Sequence, residues 1–162
     1  MRTRLLALAS SIFLVAGAAI FAQGGKPDLS GTWNLDKEKS EMGGGPGGGQ
    51  RMVSPSMTIE HKDPQLTIKR KFEFQGEERT RELKYTTDGK PNTNEGFRGR
   101  SMKSKTFWEG DKLVIETTRE TQQGNLETKE VYSLSNDGKT LTIEMSRKDA
   151  GGSSRKMLYV KE

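Results

Sequence analysis

Side chains able to do acid–base, nucleophilic or metal chemistry are few in this sequence. His61 is the single histidine, and there is no cysteine. A Ser-His-Asp triad, a Cys-His pair or a histidine metal cluster each needs partners that such a chain lacks. The composition therefore points away from an enzyme and implies neither a metal nor a cofactor. His61 stands at a strand end beside Lys62 and Asp63, the setting of a solvated side chain rather than a base. Carboxylates cluster at Glu77-Glu78 and at Glu127 with Glu130, but Lys and Arg interleave with them, as on a solvated strand face. An isomerase-type enzyme would have to be built from Arg70, His61 and Glu130 alone.

More informative are charged residues whose parity sets them among apolar ones. Arg70 lies between Ile68 and Phe72; Arg147 follows Leu141, Ile143 and Met145 at spacings of two; Glu130 keeps step with Leu126, Tyr132 and Leu134. An ion on the buried face of a sheet must be paired or solvated. Arg70 and Arg147 thus imply internal salt bridges, with Glu130 one possible partner, or a wet cavity for an anionic or polar-headed ligand. A cation stacked on Trp33 or Trp108 is the other reading. Lys69, Arg70, Lys71 and Phe72 form a small basic-aromatic group, yet Phe72 shares its face with Leu66 and Ile68, and acids interleave throughout. Nucleic-acid binding wants exposed aromatics on a basic surface, so no nucleic-acid partner is expected.

The elements that would position these residues are strands. Gly96, Gly110, Gly124, Gly138 and Gly152 recur every 14 residues, and Glu109-Gly110-Asp111, Gln123-Gly124-Asn125 and Asp137-Gly138-Lys139 are polar turn clusters. Tight hairpin turns need positive φ, which glycine adopts cheaply. The intervening segments are rich in Val, Ile, Leu, Thr and Tyr and read as strands. The cleanest alternation sets Leu66, Ile68, Arg70, Phe72 and Phe74 against Thr67, Lys69, Lys71 and Glu73. About nine strands are predicted, over residues 29–36, 52–61, 65–75, 79–87, 99–108, 112–121, 126–135, 140–147 and 155–161, with Lys90 to Arg98 a long polar connection. No window carries a helical stripe, so nothing is available to cover an open sheet. A sheet rolled shut solves that problem and removes the edges as well. The predicted fold is all-β: an up-and-down antiparallel barrel of 8–10 strands.

Met1-Arg2-Thr3-Arg4, the apolar run Leu5 to Phe21 and then Ala22-Gln23 have the layout of a secretory signal peptide, residues 1–22. Residues 23–162 then form one domain, exported to the periplasm or outside the cell and free of the membrane after cleavage. The net charge of +5 falls to +3 when Arg2 and Arg4 leave, an excess that solubility accounts for. Residues 42–51 hold the run Gly43-Gly44-Gly45-Pro46-Gly47-Gly48-Gly49, which lacks the Gly-Lys-Ser/Thr of a phosphate loop and reads as a flexible linker or a lid over a barrel mouth.

Gly31-Thr32-Trp33 opens the first strand, and a Gly-x-Trp there resembles lipocalins and related barrels, in which the tryptophan plugs the closed end. The stretches Asp28 to Ser40, Thr87-Asp88-Gly89-Lys90, Trp108 to Ile115 and Leu134 to Thr142 are similar to a group of small exported bacterial proteins with a lipocalin-like, calycin-type barrel. The likeness spans most of residues 23–162. It implies the fold and export and transfers no catalytic residue. It also implies an arginine from a late strand over the tryptophan, Arg147 or Arg155 here. The lipocalin cysteine pair and C-terminal helix are missing. The expected function is to bind a small apolar or amphipathic molecule in a lumen lined by Trp33, Ile59, Ile68, Arg70, Phe72, Tyr85, Tyr132 and Arg147. A ligand-free structural or interaction protein of the cell envelope is the alternative. Oligomeric state is left open.

Overall fold

A computed structural model describes residues 25–41, 53–96, 99–121, 124–148 and 154–162, apart from the side chain of Phe74. The signal-peptide and glycine-rich segments expected at residues 1–22 and 42–51 lie outside the described residues. Ten strands follow in chain order: β1 (Gly31–Glu41), β2 (Ser56–Lys62), β3 (Gln65–Phe74), β4 (Glu77–Thr86), β5 (Pro91–Glu95), β6 (Ser101–Glu109), β7 (Lys112–Thr121), β8 (Gly124–Leu134), β9 (Thr140–Arg147) and β10 (Ser154–Lys161). They form one antiparallel sheet in the order β4-β3-β2-β1-β10-β9-β8-β7-β6-β5. Except for β4 and β5, each strand pairs with the next in the chain, and β1 pairs with β10, so the meander curls into the predicted up-and-down barrel. Closure is nearly complete: no backbone ladder joins β4 to β5.

Three details differ from the sequence reading. Pro91 to Glu95, expected within a polar connection, is strand β5. It carries no apolar residue to mark it, and asparagine side chains join it to β4 in place of backbone. The Lys84 N–H donates to Asn94 Oδ1 at 2.8 Å, Asn94 Nδ2 donates back to the Lys84 carbonyl at 2.8 Å, and the Thr86 N–H donates to Asn92 Oδ1 at 2.9 Å. Second, β1 runs on to Glu41, past the strand end expected at residue 36. The register with β10 shifts between Asp36 and Glu41, and the Ser40 hydroxyl bridges the irregularity by donating to the Asp36 carbonyl and accepting from the Leu158 N–H. Third, Gly110, Gly124 and Gly138 do have positive φ (64°, 109° and 69°), but Gly96 does not. Its need is space: a Cβ there would lie 2.9 Å from the Arg100 carbonyl oxygen.

Alternating side chains from every long strand point inward. The core is packed most tightly toward one end, where Leu29, Trp33, Ile59, Ile68, Leu113 and Leu141 are all almost completely buried. Trp33 closes this end. Its indole N–H donates to the Leu29 carbonyl at 3.0 Å, and the Lys161 ammonium lies 5.3 Å from the ring centroid. The β1–β10 register sets Trp33 directly opposite Lys161, so the cation over Trp33 is Lys161 rather than the expected Arg147 or Arg155. Gly31 has φ +143°, a conformation side chains rarely adopt, and that fixes glycine in Gly-x-Trp.

Candidate functional site

The inward-facing rows change character along their length. On β4 the row runs Tyr85, Leu83, Arg81; on β7 it runs Leu113, Ile115, Thr117, Arg119; on β9, Leu141, Ile143, Met145, Arg147; on β10, Tyr159, Met157, Arg155. Each starts apolar or aromatic near the closed end and reaches an arginine toward the other. Where the rows turn basic the interior opens into a cavity of about 220 Å³. Leu83, Met102, Ile143, Met145 and Met157 supply its apolar wall. Arg70, Arg81, Arg119, Arg147 and Arg155 supply five guanidinium groups, and Glu130 is the one carboxylate among the described lining residues.

Glu130 is already engaged. Arg70 grips it in bidentate fashion, Nη1 to Oε1 at 3.1 Å and Nη2 to Oε2 at 2.7 Å. Arg70 Nη2 also donates to the Tyr132 hydroxyl, which in turn donates to Glu130 Oε2 at 2.7 Å, closing a ring of three. The pair inferred from parity is therefore formed across the barrel, between β3 and β8. Burial drives the Glu130 carboxyl upward, but the Arg70 charge and the hydrogen bonds from Arg70 and Tyr132 outweigh it and leave its pKa below the ordinary value. Burial pushes the Tyr132 and Tyr85 hydroxyls well up. Arg70 Nε is buried with no partner among the described residues, a donor left for whatever enters the cavity.

Around the rest of the wall positive charge is crowded. Arg70 and Arg81 face each other directly across β3 and β4, an arrangement that costs stability in a sheet. Arg81 rests over the Phe72 ring, 5.6 Å from its centroid. Arg119 and Arg147 flank β8 at Leu126 and Thr128, two residues apart on one face. Burial and the nearby Arg147 and Arg81 charges hold the Arg119 pKa below its ordinary value. Across the cavity mouth the Tyr159 hydroxyl donates to the Ser54 carbonyl at 3.0 Å, and the Ser54 hydroxyl donates to the Ser56 carbonyl at 2.6 Å.

Of the eight residues proposed from the sequence, Arg70, Tyr85 and Arg147 border the cavity. Tyr132 lies one layer behind, bonded to Arg70 and Glu130. Trp33, Ile59 and Ile68 are packed into the core, and Phe72 is half-buried beneath Arg81. Two further lining residues, Arg81 and Arg119, share the parity of Leu83 and Tyr85 and of Leu113 and Ile115, the sequence signal that marks them. The His61 side chain, expected in solvent, is only 5% exposed at the closed end, 3.8 Å from the carboxylates of Asp28 and Asp63 and 5.7 Å from the Trp108 ring. On β2, His61 stands four residues from Met57, the partner of Arg70, or about 13 Å along the strand. His61 and Arg70 thus do not form one site.

No protein-family model and no curated protein matches the chain. Solved structures do share its fold. A "REP1-NXSQ fatty acid transporter" is 15% identical, with a TM-score of 0.59 over 83% of this chain and 96% of that one. Secretory abundant heat soluble protein 4 from Ramazzottius varieornatus is 18% identical (TM-score 0.56, 85% and 96% covered), and lipid binding protein 8 of Caenorhabditis elegans is 14% identical (TM-score 0.58, 83% and 95% covered). At such identities the likeness is one of architecture, a calycin-type barrel.

Proposed function

We propose that this protein is an exported carrier that holds a small amphipathic molecule inside its barrel. The carrying observation is the interior cavity, apolar on the Met102, Ile143 and Met157 side and cationic on the other, in a barrel whose opposite end is packed solid. At about 220 Å³ it is smaller than the roughly 300–1,000 Å³ of drug-sized ligand pockets, so the guest is short. That the solved neighbours include a fatty acid transporter and a lipid binding protein supports the reading. The one carboxylate among the described lining residues is held by an arginine and a tyrosine, an arrangement that supports binding. A ligand-free envelope protein would need this space to stay empty. Native mass spectrometry on protein purified from its own host separates the two: a bound small molecule is the expected result, and a uniformly bare chain at every collision energy rejects the carrier. The same spectrum gives the mass of the mature chain, expected to begin at Gln23.

A further inference from the structure

The barrel wall is laced by backbone ladders everywhere but at one place. β4 has a ladder only with β3, and β5 only with β6. Among the described residues the seam between them is held by asparagine side chains. Asn94 exchanges two hydrogen bonds with the Lys84 backbone, and Asn92 Oδ1 accepts from both the N–H and the hydroxyl of Thr86. Breaking these contacts disturbs no ladder. β5 is also the strand least anchored in the core: none of its residues is buried, whereas each of the other strands buries at least one side chain. An element with no buried side chains and exposed hydrogen bonds opens at the lowest free energy. The seam borders the cavity as well. Leu83 and Tyr85, on either side of Lys84, line it from β4; Met102, which stands opposite Asn94 in the β5–β6 register, lines it from β6. Parting Lys84 from Asn94 therefore opens the wall between Leu83 and Met102, on the apolar side of the cavity. A guest leaving by the basic ends of the inward rows would drag its tail past guanidinium groups, but along this seam the tail stays against apolar side chains.

We propose that the β4–β5 seam is the gate through which the guest enters and leaves, with Asn92 and Asn94 as its latch. This rests on the carrier reading and adds its route. A latch that lies outside the cavity lining sets rates without setting affinity. Weakening it makes opening more frequent, which speeds entry and exit alike, while the closed barrel that holds the guest keeps its lining.

Fluorine NMR exchange on the purified protein tests it, with a terminally trifluorinated hexanoate and the corresponding alcohol as probes; line shapes give Kd and the exit rate together. Asn94→Ala and Asn92→Ala each remove two seam hydrogen bonds and should raise the entry and exit rates on the order of 10-fold, with Kd unchanged. The opposite perturbation keeps both asparagines. Lys84→Cys with Thr93→Cys sets two thiols on the outer face of the seam, in a chain that has no cysteine of its own. Bridging them with dibromobimane should slow entry and exit at least about 10-fold relative to the same variant unbridged. Hydrogen exchange in the β7–β8 ladder checks that each variant is folded; should an asparagine variant fail there, the bridged pair decides. A bridged protein that exchanges probe as fast as the unbridged one overturns the gate and leaves the carrier standing. So does an asparagine variant in which Kd rises with the exit rate while entry is unchanged, because the asparagines then support the bound state and not the passage. If neither probe binds the parent protein, carrier and gate both fall.

Discussion

The Arg70–Glu130–Tyr132 ring offers the sharpest quantitative test of the interior. A buried ion pair is costly to break and cheap to replace, because removing one partner strands the other while removing both removes the desolvation penalty as well. Arg70→Met leaves Glu130 with only the Tyr132 hydroxyl; Glu130→Met leaves the guanidinium facing four other arginines. Side-chain exposure is 22% for Arg70 and 11% for Glu130, so water reaches the pair in part, and the lower end of the usual range applies. Each single substitution should therefore cost about 3 kcal/mol. For a domain of this size that is a fall of roughly 10 °C in thermal midpoint. The triple substitution Arg70→Met, Glu130→Met, Tyr132→Phe removes every member of the ring and should lie within about 1 kcal/mol of the parent. Urea unfolding of the four proteins supplies the comparison. Acid adds a second readout. The folded Glu130 pKa is depressed, so the stability it contributes is complete above its unfolded pKa and is lost as pH falls through the folded value. The parent should thus lose stability below about pH 4 more steeply than the triple variant. Additive single effects, or singles costing under about 1 kcal/mol, would show that the ring does not act as a unit.

Other consequences are simpler. Gly31→Ala should cost about 1–3 kcal/mol in urea unfolding, because φ +143° is strained for any residue with a Cβ; the Lys161 Cε that such a Cβ would meet at 2.6 Å is the end of a flexible chain and can move. Asn94→Ala should speed hydrogen exchange at the Lys84 amide in particular, with a loss of about 1 kcal/mol, while amides in the β7–β8 ladder keep their protection. Tyr159→Phe should cost about 1 kcal/mol at neutral pH by orphaning the Ser54 carbonyl. Burial pushes the Tyr159 hydroxyl up to about 12, so its stabilising share is intact below its unfolded pKa near 10 and disappears as pH rises toward 12. The variant should accordingly lose less stability across that alkaline window, as followed by circular dichroism.

What the sequence disclosed was direction, and what it withheld was height. Alternation fixes which side chains face the axis, so Arg70 and Glu130 could be placed inside together from residues 60 apart. It does not fix how far along the axis each one lies, since strand tilt and stagger set that. Trp33, Ile59 and Ile68 therefore looked equivalent to Arg70 as lining, yet they sit in the packed end. Likewise only the β1–β10 register could show that Lys161, and not an arginine, covers Trp33. Strand β5 escaped notice for a different reason. Its contribution to closure is made by amide side chains standing in for a backbone ladder, and hydrophobic periodicity is blind to that.

The gradient along the inward rows was nonetheless legible. Ile143-x-Met145-x-Arg147 and Ile115-x-Thr117-x-Arg119 state it outright, and Tyr85-x-Leu83-x-Arg81 states it in the reverse chain direction, as an antiparallel neighbour must. An inward row that turns from apolar to basic toward the same end on four strands is an arrangement packing alone has no use for. Setting Arg81 directly opposite Arg70 costs stability, and a protein needing only a solid core would place leucine there. The physical argument for a guest is the combination of that cationic wall, the buried Arg70 Nε, unpartnered among the described residues, and the apolar side formed by Met102, Ile143 and Met157, which together suit a molecule with one polar and one apolar end.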